Sequence, residues 1–259
     1  MKKLRCLFIA ICLPAFLYAQ VEPTDSLALK NIQENQKAST NENPLHVKAL
    51  IIPAAFITYG ALSFGDNPIS NLDRSTRNEL QEDHPLFAAH LDNYMQFAPA
   101  LSVYALNLAG IKGKNNLVDA TGIYLLSSAI MGGSVSLLKH SSHRLRPDGS
   151  SYTSFPSGHT ALAFAGAEFL KQEYKDVSPW YGFAGYAVAT ATGTLRMYNN
   201  KHWFSDVVAG AGIGILSTKI AYYLYPHLKK LVLGKQTVSY SMVPVYEDKT
   251  FGLSFHGTF

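Results

Sequence analysis

The sequence predicts an all-α protein, a six-helix bundle with a polar N-terminal arm before it and a small C-terminal β-hairpin after it. Three observations carry this. Apolar segments at roughly 49–64, 95–111, 118–138, 159–170, 180–195 and 205–225 have helix lengths, are rich in Ala, Gly and Leu, and show no sustained alternation. Hydrophobic residues make up 47% of the chain and charged ones only 15%, which suits helices that are apolar over most of their surface. Strand-like alternation is confined to the tail.

At the start, Met1-Lys-Lys-Leu-Arg5 precedes an apolar run to Ala19. This is the pattern of a secretory leader over residues 1–19, with Leu17-Tyr18-Ala19 at the cut. Cys6 and Cys12 both fall inside it, and Ile11 is not the small residue a lipoprotein signal uses. The mature chain is then expected to carry no thiol, hence no disulfide and no cysteine metal site. That points to a bacterial envelope protein stabilised by packing. Residues 20–47, rich in Asn, Gln, Glu and Ser, read as a solvated arm.

A helical domain is expected over residues 48–230. Within it, Asp66-Asn67-Pro68 and the charged stretch Asp73, Arg74, Arg77, Glu79, Glu82, Asp83 read as a loop with a helix of its own. In the tail, Val238 to Tyr246 and Thr250 to Phe255 alternate around Glu247-Asp248-Lys249, which predicts a hairpin within residues 236–259.

Uncharged runs of 17 to 19 residues at 49–65, 93–111, 120–138 and 177–195 approach the ~20 residues needed to cross a bilayer. In a six-helix arrangement the polar motif loops share one side. Lys112, Lys114, Lys171, Lys175, Lys229, Lys230 and Lys235 fall on the other, which is cytoplasmic by the positive-inside rule. Three full crossings between an exported arm and the first motif would turn the motif loops inward. Three alternatives remain: the Pro53 helix does not cross, the leader is not cut, or the bundle rests on the membrane surface. A net charge of +4 with scattered basic residues excludes a nucleic-acid partner.

Three motifs carry the chemistry. The first, Lys139-His-Ser-Ser-His-Arg-Leu-Arg146-Pro147, supplies a point charge and a planar guanidinium suited to the oxygens of a phosphate. The second, Pro156-Ser157-Gly158-His159, stands before the run Ala161 to Phe169. A helix starting there presents unpaired N–H groups to an anion, Ser157 adds a hydroxyl, and Gly158 allows close approach. The third places Arg196 before His202 and Asp206, which are four apart and share a helical face. A carboxylate on one imidazole nitrogen fixes the tautomer and frees the other for attack at phosphorus. Taken singly, each motif is an ordinary helix end; together and in order they describe a phosphate site. His140 and His143 read as loop histidines. His46, His84, His90, His227 and His256 have no metal-ligand spacing, so no metal site is expected.

These residues resemble the type 2 phosphatidic acid phosphatase (PAP2) superfamily, which includes bacterial acid phosphatases and vanadium haloperoxidases. Its pattern is Lys-x6-Arg-Pro, Pro-Ser-Gly-His and Ser-Arg-x5-His-x3-Asp. Lys139 to Pro147 and Pro156 to His159 match in full, while the third motif matches at Arg196, His202 and Asp206 with Leu195 in place of the usual Ser. The resemblance covers residues 49–225 and implies an α-helical bundle. It implies that His202 is the nucleophile, Asp206 its orienting partner, and His159 the acid for the leaving alcohol and base for water. It further implies that Lys139, Arg146, Ser157, Gly158 and Arg196 bind phosphate with no metal or other cofactor. The expected substrate is a lipid phosphate such as lipid A, undecaprenyl diphosphate, phosphatidic acid or phosphatidylglycerophosphate. It would be met at a membrane, with the site facing the periplasm. A soluble periplasmic acid phosphatase for small phosphomonoesters is the alternative enzyme, and a partner-binding envelope protein the non-enzymatic one.

Overall fold

A computed structural model of the protein describes residues 47–233, 239–247 and 250–258. The leader and, apart from Val47, the polar arm lie outside the described residues. A 3-10 turn over Val47–Leu50 leads into α1 (Ile51–Ala61), followed by α2 (Pro68–Asp83), α3 (Asp92–Met95), α4 (Ala98–Leu108), α5 (Leu117–Ser142), α6 (Gly158–Tyr174), α7 (Pro179–Tyr198) and α8 (Phe204–Leu233). In the tail, β1 (Ser239–Glu247) and β2 (Thr250–Thr258) pair antiparallel, with Glu247 opposite Thr250 and Ser239 opposite Thr258.

Each of the six apolar segments contributes a helix, and local signals set where they begin. The Asn67 side chain accepts from the backbone N–H groups of Ile69 and Ser70, Ser70 answers in a capping box, and Pro68 opens α2. Asn116 caps α5 through the Asp119 N–H, and Ser178 with Pro179 starts α7. α5 stops at His143, whose φ of 46° lies in the left-handed region.

Beyond the six, α2 is the helix expected within the charged stretch, and only the short α3 was not foreseen. α2 and the four-residue α3 form an additional polar excursion between α1 and α4. The apolar runs at 49–65 and 93–111 also yield shorter helices than their lengths suggest. α1 ends at Ala61, where the Leu62 N–H makes the last helical bond to Thr58, and α4 ends before the turn at Gly110 (φ 89°), so α1 and α4 have 11 residues each. At 1.5 Å per residue they rise about 16 Å, roughly half of a bilayer's hydrocarbon core. Among the described residues, α5 and α8 are long and apolar enough to span.

α6 is the central helix, packed against α4, α5, α7 and α8. Its Ala161, Ala163, Ala165, Ala167 and Phe169 have no exposed surface. Phe169, Leu170 and Tyr174 form a core with Ala100, Val103, Ile123, Ala221 and Tyr222. The two charges that interrupt the apolar runs, Glu168 and Lys219, meet inside the bundle at 2.8 Å, and Tyr186 donates to the same carboxylate. At the end of the bundle where α6 finishes, Tyr174 donates to the Val103 and Ile111 carbonyls. There too, Lys229 pairs with Asp119 at 2.7 Å.

α8 approaches α6 so closely that only glycine fits at the crossing. A Cβ on Gly214 would lie 2.2 Å from the Ala161 carbonyl oxygen and 2.8 Å from the Ala165 nitrogen. One on Gly210 would lie 2.5 Å from the Ser157 carbonyl oxygen. These neighbours are backbone atoms and cannot swing aside. Gly214→Ala is therefore expected to destabilise the fold by about 1–3 kcal/mol, read as a lowered thermal midpoint. Gly132→Ala on α5, where a Cβ meets nothing within 4 Å, should not lower it.

Candidate active site

Four helix ends converge opposite the Lys229–Asp119 end: the C-termini of α5 and α7 and the N-termini of α6 and α8. They carry Lys139, Arg196, Ser157 to His159, and His202 to Asp206 respectively. The Ser157 N–H donates to the Asp206 carbonyl at 3.0 Å, which ties the second motif to the third. Lys139 passes beside Gly158: a Cβ there would lie 3.9 Å from Lys139 Cε. The Lys139 ammonium donates to the Thr153 carbonyl at 2.6 Å. Arg146, Arg196 and Lys139 all act electrostatically on His159, so the eight residues the motifs singled out share one locus.

Ser157 and Asp206 are fully buried, His202 and Arg196 nearly so, and Lys139, Arg146 and His159 half-buried. Among the described residues, three buried side-chain nitrogens lack a hydrogen-bond partner: Arg146 Nε, Arg196 Nε and His202 Nδ1. All three belong to this cluster. An unpaired buried donor costs about 1–3 kcal/mol, so a site with two such guanidinium donors suits a ligand rich in acceptor oxygens. His202 Nδ1 stands 3.6 Å from Asp206 Oδ2, close enough for an ion-pair contact but beyond hydrogen-bond length. The ring nitrogen turned away from Asp206 is Nε2.

Asp206 is held by more than the sequence motif shows. Its Oδ1 accepts from Arg144 Nη1 at 2.7 Å, and its Oδ2 accepts from Ser154 Oγ at 2.5 Å and the Trp203 N–H at 3.0 Å. Arg144 Nη2 reaches Asp73 Oδ2 at 2.7 Å, and Asp73 in turn accepts from the Ser205 N–H and hydroxyl. The Arg144 guanidinium lies 5.4 Å from the Phe64 ring centroid and 5.7 Å from that of Trp203. One arginine thus joins two buried carboxylates. Sequence reasoning spelled out Arg144 within the first motif without assigning it, and saw Asp73 only as part of a polar stretch. No spacing signal relates residues 71 and 62 positions apart.

Arg196 also has a partner outside the motifs: its Nη1 donates to Asp92 Oδ2 at 2.6 Å, both groups being buried. His159 Nε2 bonds Asn93 Oδ1 at 2.9 Å. Both imidazoles are held neutral near pH 7. Burial pushes His202 down to about 4, with Asp206 opposing the shift. Burial, then the Arg196 charge, brings His159 to about 4 against the pull of Asp92, with Arg146 and Lys139 adding to the depression. A neutral, oriented imidazole can attack phosphorus, and a second one near three cations can exchange a proton with a leaving oxygen.

The PAP2 superfamily model matches residues 120–230, which contain all three motifs. Residues 120–230 belong to the PAP2 superfamily. The chain is similar to the lipid A 1-phosphatase of Porphyromonas gingivalis, with 43% identity over 144 residues. That alignment covers 53% of this chain and 31% of the relative, so the chain spans less than a third of that protein's length. Among solved structures it is similar to a transmembrane PAP2 type phosphatidylglycerolphosphate phosphatase from Bacillus subtilis, at 20% identity and a TM-score of 0.46. That match covers 74% of this chain and all of the other. LpxE of Aquifex aeolicus matches at 22% identity and a TM-score of 0.42, over 56% of this chain and 92% of the other.

The Arg144 network generates a direct test. Arg144→Ala strands Asp73 and Asp206 as buried charges without their shared cation, so it is expected to cost about 3–5 kcal/mol in unfolding free energy. A loss below about 1 kcal/mol would show that the carboxylates do not depend on Arg144.

Proposed function

We propose that the protein is a phosphatase that hydrolyses a lipid phosphate at a membrane through a phosphohistidine. The observation that carries this is the set of unpartnered nitrogens, Arg146 Nε, Arg196 Nε and His202 Nδ1, gathered in one buried locus. Lys139, Arg146 and Arg196 meet the negative charge that spreads over the phosphoryl oxygens in the transition state, so no metal ion is required. Ser157 and the backbone at Gly158 add donors at the start of α6.

In the proposed reaction His202 Nε2 attacks phosphorus and forms a P–N bond. The P–O bond to the alcohol breaks, and its electron pair leaves with the oxygen, which takes a proton from His159. Water then attacks phosphorus, gives its proton to His159, and the P–N pair returns to His202. Asp206 stabilises the His202 imidazolium while the intermediate lasts. A small ring movement closes the 3.6 Å separation between them.

Surface character supports a membrane setting. α5 buries only 22% of its most apolar window, whereas α8 buries 61% and serves mainly as a core helix. Val118, Leu125 and Leu137 on α5, Trp180 and Phe183 on α7, and Leu101 and Leu108 on α4 are all exposed. Apolar surface on this scale needs a covering, and acyl chains supply it. We take the orientation to be periplasmic, on the leader pattern and the lysines at the opposite end. Among lipid phosphates, the likeness to a lipid A 1-phosphatase favours a lipid A type substrate.

In detergent, kcat/KM for a lipid A phosphate is expected to exceed that for a small soluble phosphomonoester by at least ~100-fold, or roughly 2.7 kcal/mol of transition-state binding. His202→Ala should abolish both activities, and EDTA should affect neither. Equal efficiency on the two substrates would favour the soluble acid phosphatase. Phosphate release by His202→Ala would remove it as nucleophile.

The pH profile follows from the depressed imidazoles. His202 attacks in its neutral form, so kcat/KM should rise as pH passes about 4. With His159 also neutral above about 4, the proton for the leaving oxygen enters with the substrate monoanion. Activity should then fall above the substrate's second pKa of about 6. A kcat/KM still climbing at pH 8 would contradict this.

A further inference from the structure

The segment between α2 and α4 is held to the site by an unusual set of contacts. Asn199, just past the end of α7, bonds the Ala89 backbone in both directions: its Oδ1 accepts from the Ala89 N–H at 3.0 Å and its Nδ2 donates to the Ala89 carbonyl at 2.7 Å. The same amide reaches Asp92 Oδ1 at 3.3 Å. Asp92, only 1% exposed, uses its other oxygen on Arg196. The next residue, Asn93, holds His159. Two consecutive side chains of α3 therefore each grasp one residue of a different catalytic motif, on a backbone pinned from α7.

We propose that Asn93 is a positioning residue for His159, fixing the tautomer and ring orientation in which His159 delivers its proton to the leaving oxygen. This rests on the phosphatase reading above and deepens it. With Asn93 Oδ1 as acceptor, His159 Nε2 carries the fixed proton, and Nδ1 is the nitrogen that gains and gives the catalytic one. The contact is needed because the other charges facing His159 work against its protonation. Arg196 from α7, Arg146 from the loop after α5 and Lys139 from α5 all disfavour the imidazolium; Asp92 alone favours it, and its Oδ2 is committed to Arg196. A neutral amide oxygen at Nε2 supports the charged ring by hydrogen bonding without cancelling the cations that bind phosphate.

Asn93 is exposed, so its substitution should leave the fold intact. The test compares an aryl phosphate, whose leaving group departs without a proton, with a primary-alkyl phosphate, whose alkoxide needs one. kcat/KM is the quantity to read, because it stops at P–O cleavage and ignores later hydrolysis of the phosphohistidine. Asn93→Ala should lower kcat/KM on the alkyl ester by about 10–100-fold, part of the 10²–10⁴ available to a general acid, and change it less than about threefold on the aryl ester. In a His159→Ala background, Asn93→Ala should cost nothing more. Asn93→Asp places a carboxylate against the ring and should move the acid limb on the alkyl ester, which lies near 4 in the unaltered protein, upward by about one pH unit.

Equal losses on both esters, additivity with His159→Ala, or an unmoved limb in Asn93→Asp would each overturn the assignment while leaving the phosphatase reading intact. If the unaltered protein cleaves neither ester, or His159→Ala ignores the leaving group, the failure lies in that reading, and this inference falls with it.

Discussion

The buried pairing of Arg144 with Asp206 and Asp73 is the constraint on which the rest of the site depends. A carboxylate with no exposed surface is tolerable only if its oxygens are filled, and Asp206 fills them with a guanidinium, a hydroxyl and a backbone N–H. Those donors come from the loop after α5, the approach to α6, and the turn before α8. Satisfying one charge thus draws three separate stretches of chain together, and His202 inherits its place from that convergence. Asp73 extends the reach to α2, so the polar excursion is fastened to the same centre.

The opposite electrostatic choice is made a few ångströms away. Arg146 and Arg196 keep their Nε atoms unpartnered, although Arg196 is neutralised at its far end by Asp92. A guanidinium anchored through one nitrogen cannot collapse onto a neighbouring carbonyl, so its remaining donor stays directed. Burial, with the same cations adding to it, holds the imidazoles neutral, which is the form in which a histidine can act as a nucleophile.

Much of this was legible in the sequence, and what was not has a physical reason. Ala- and Gly-rich runs announced the helices because a bundle packed backbone against backbone has room for little else. The eight motif residues converge because seven sit at or beside helix ends and Arg146 lies in the loop just after α5, where short spacing determines geometry. α3, Asp92, Asn93, Arg144 and Asp73 escaped notice for the opposite reason: their partners are remote in sequence, 62 residues away for Arg144 and Asp206, 104 for Asp92 and Arg196, and 132 for Asp73 and Ser205. Such pairings arise from tertiary packing and leave no periodic trace. The lengths of α1 and α4 were overestimated because an apolar run records what is buried or lipid-facing, whereas turns such as the one at Gly110 decide where the helix stops.

The close crossing of α8 over α6 has a mechanical consequence. Ser157 meets Asp206 and Gly210 through backbone atoms alone, with no side chain between the two segments to act as a cushion. A shift of either helix along its axis is transmitted undamped to the Ser157–Gly158 turn and to His202. That joint has no slack in which to accommodate new substrates. The excursion from α2 to α4 touches the same residues through replaceable side chains, and there the shape of the pocket can vary while the joint stays as it is.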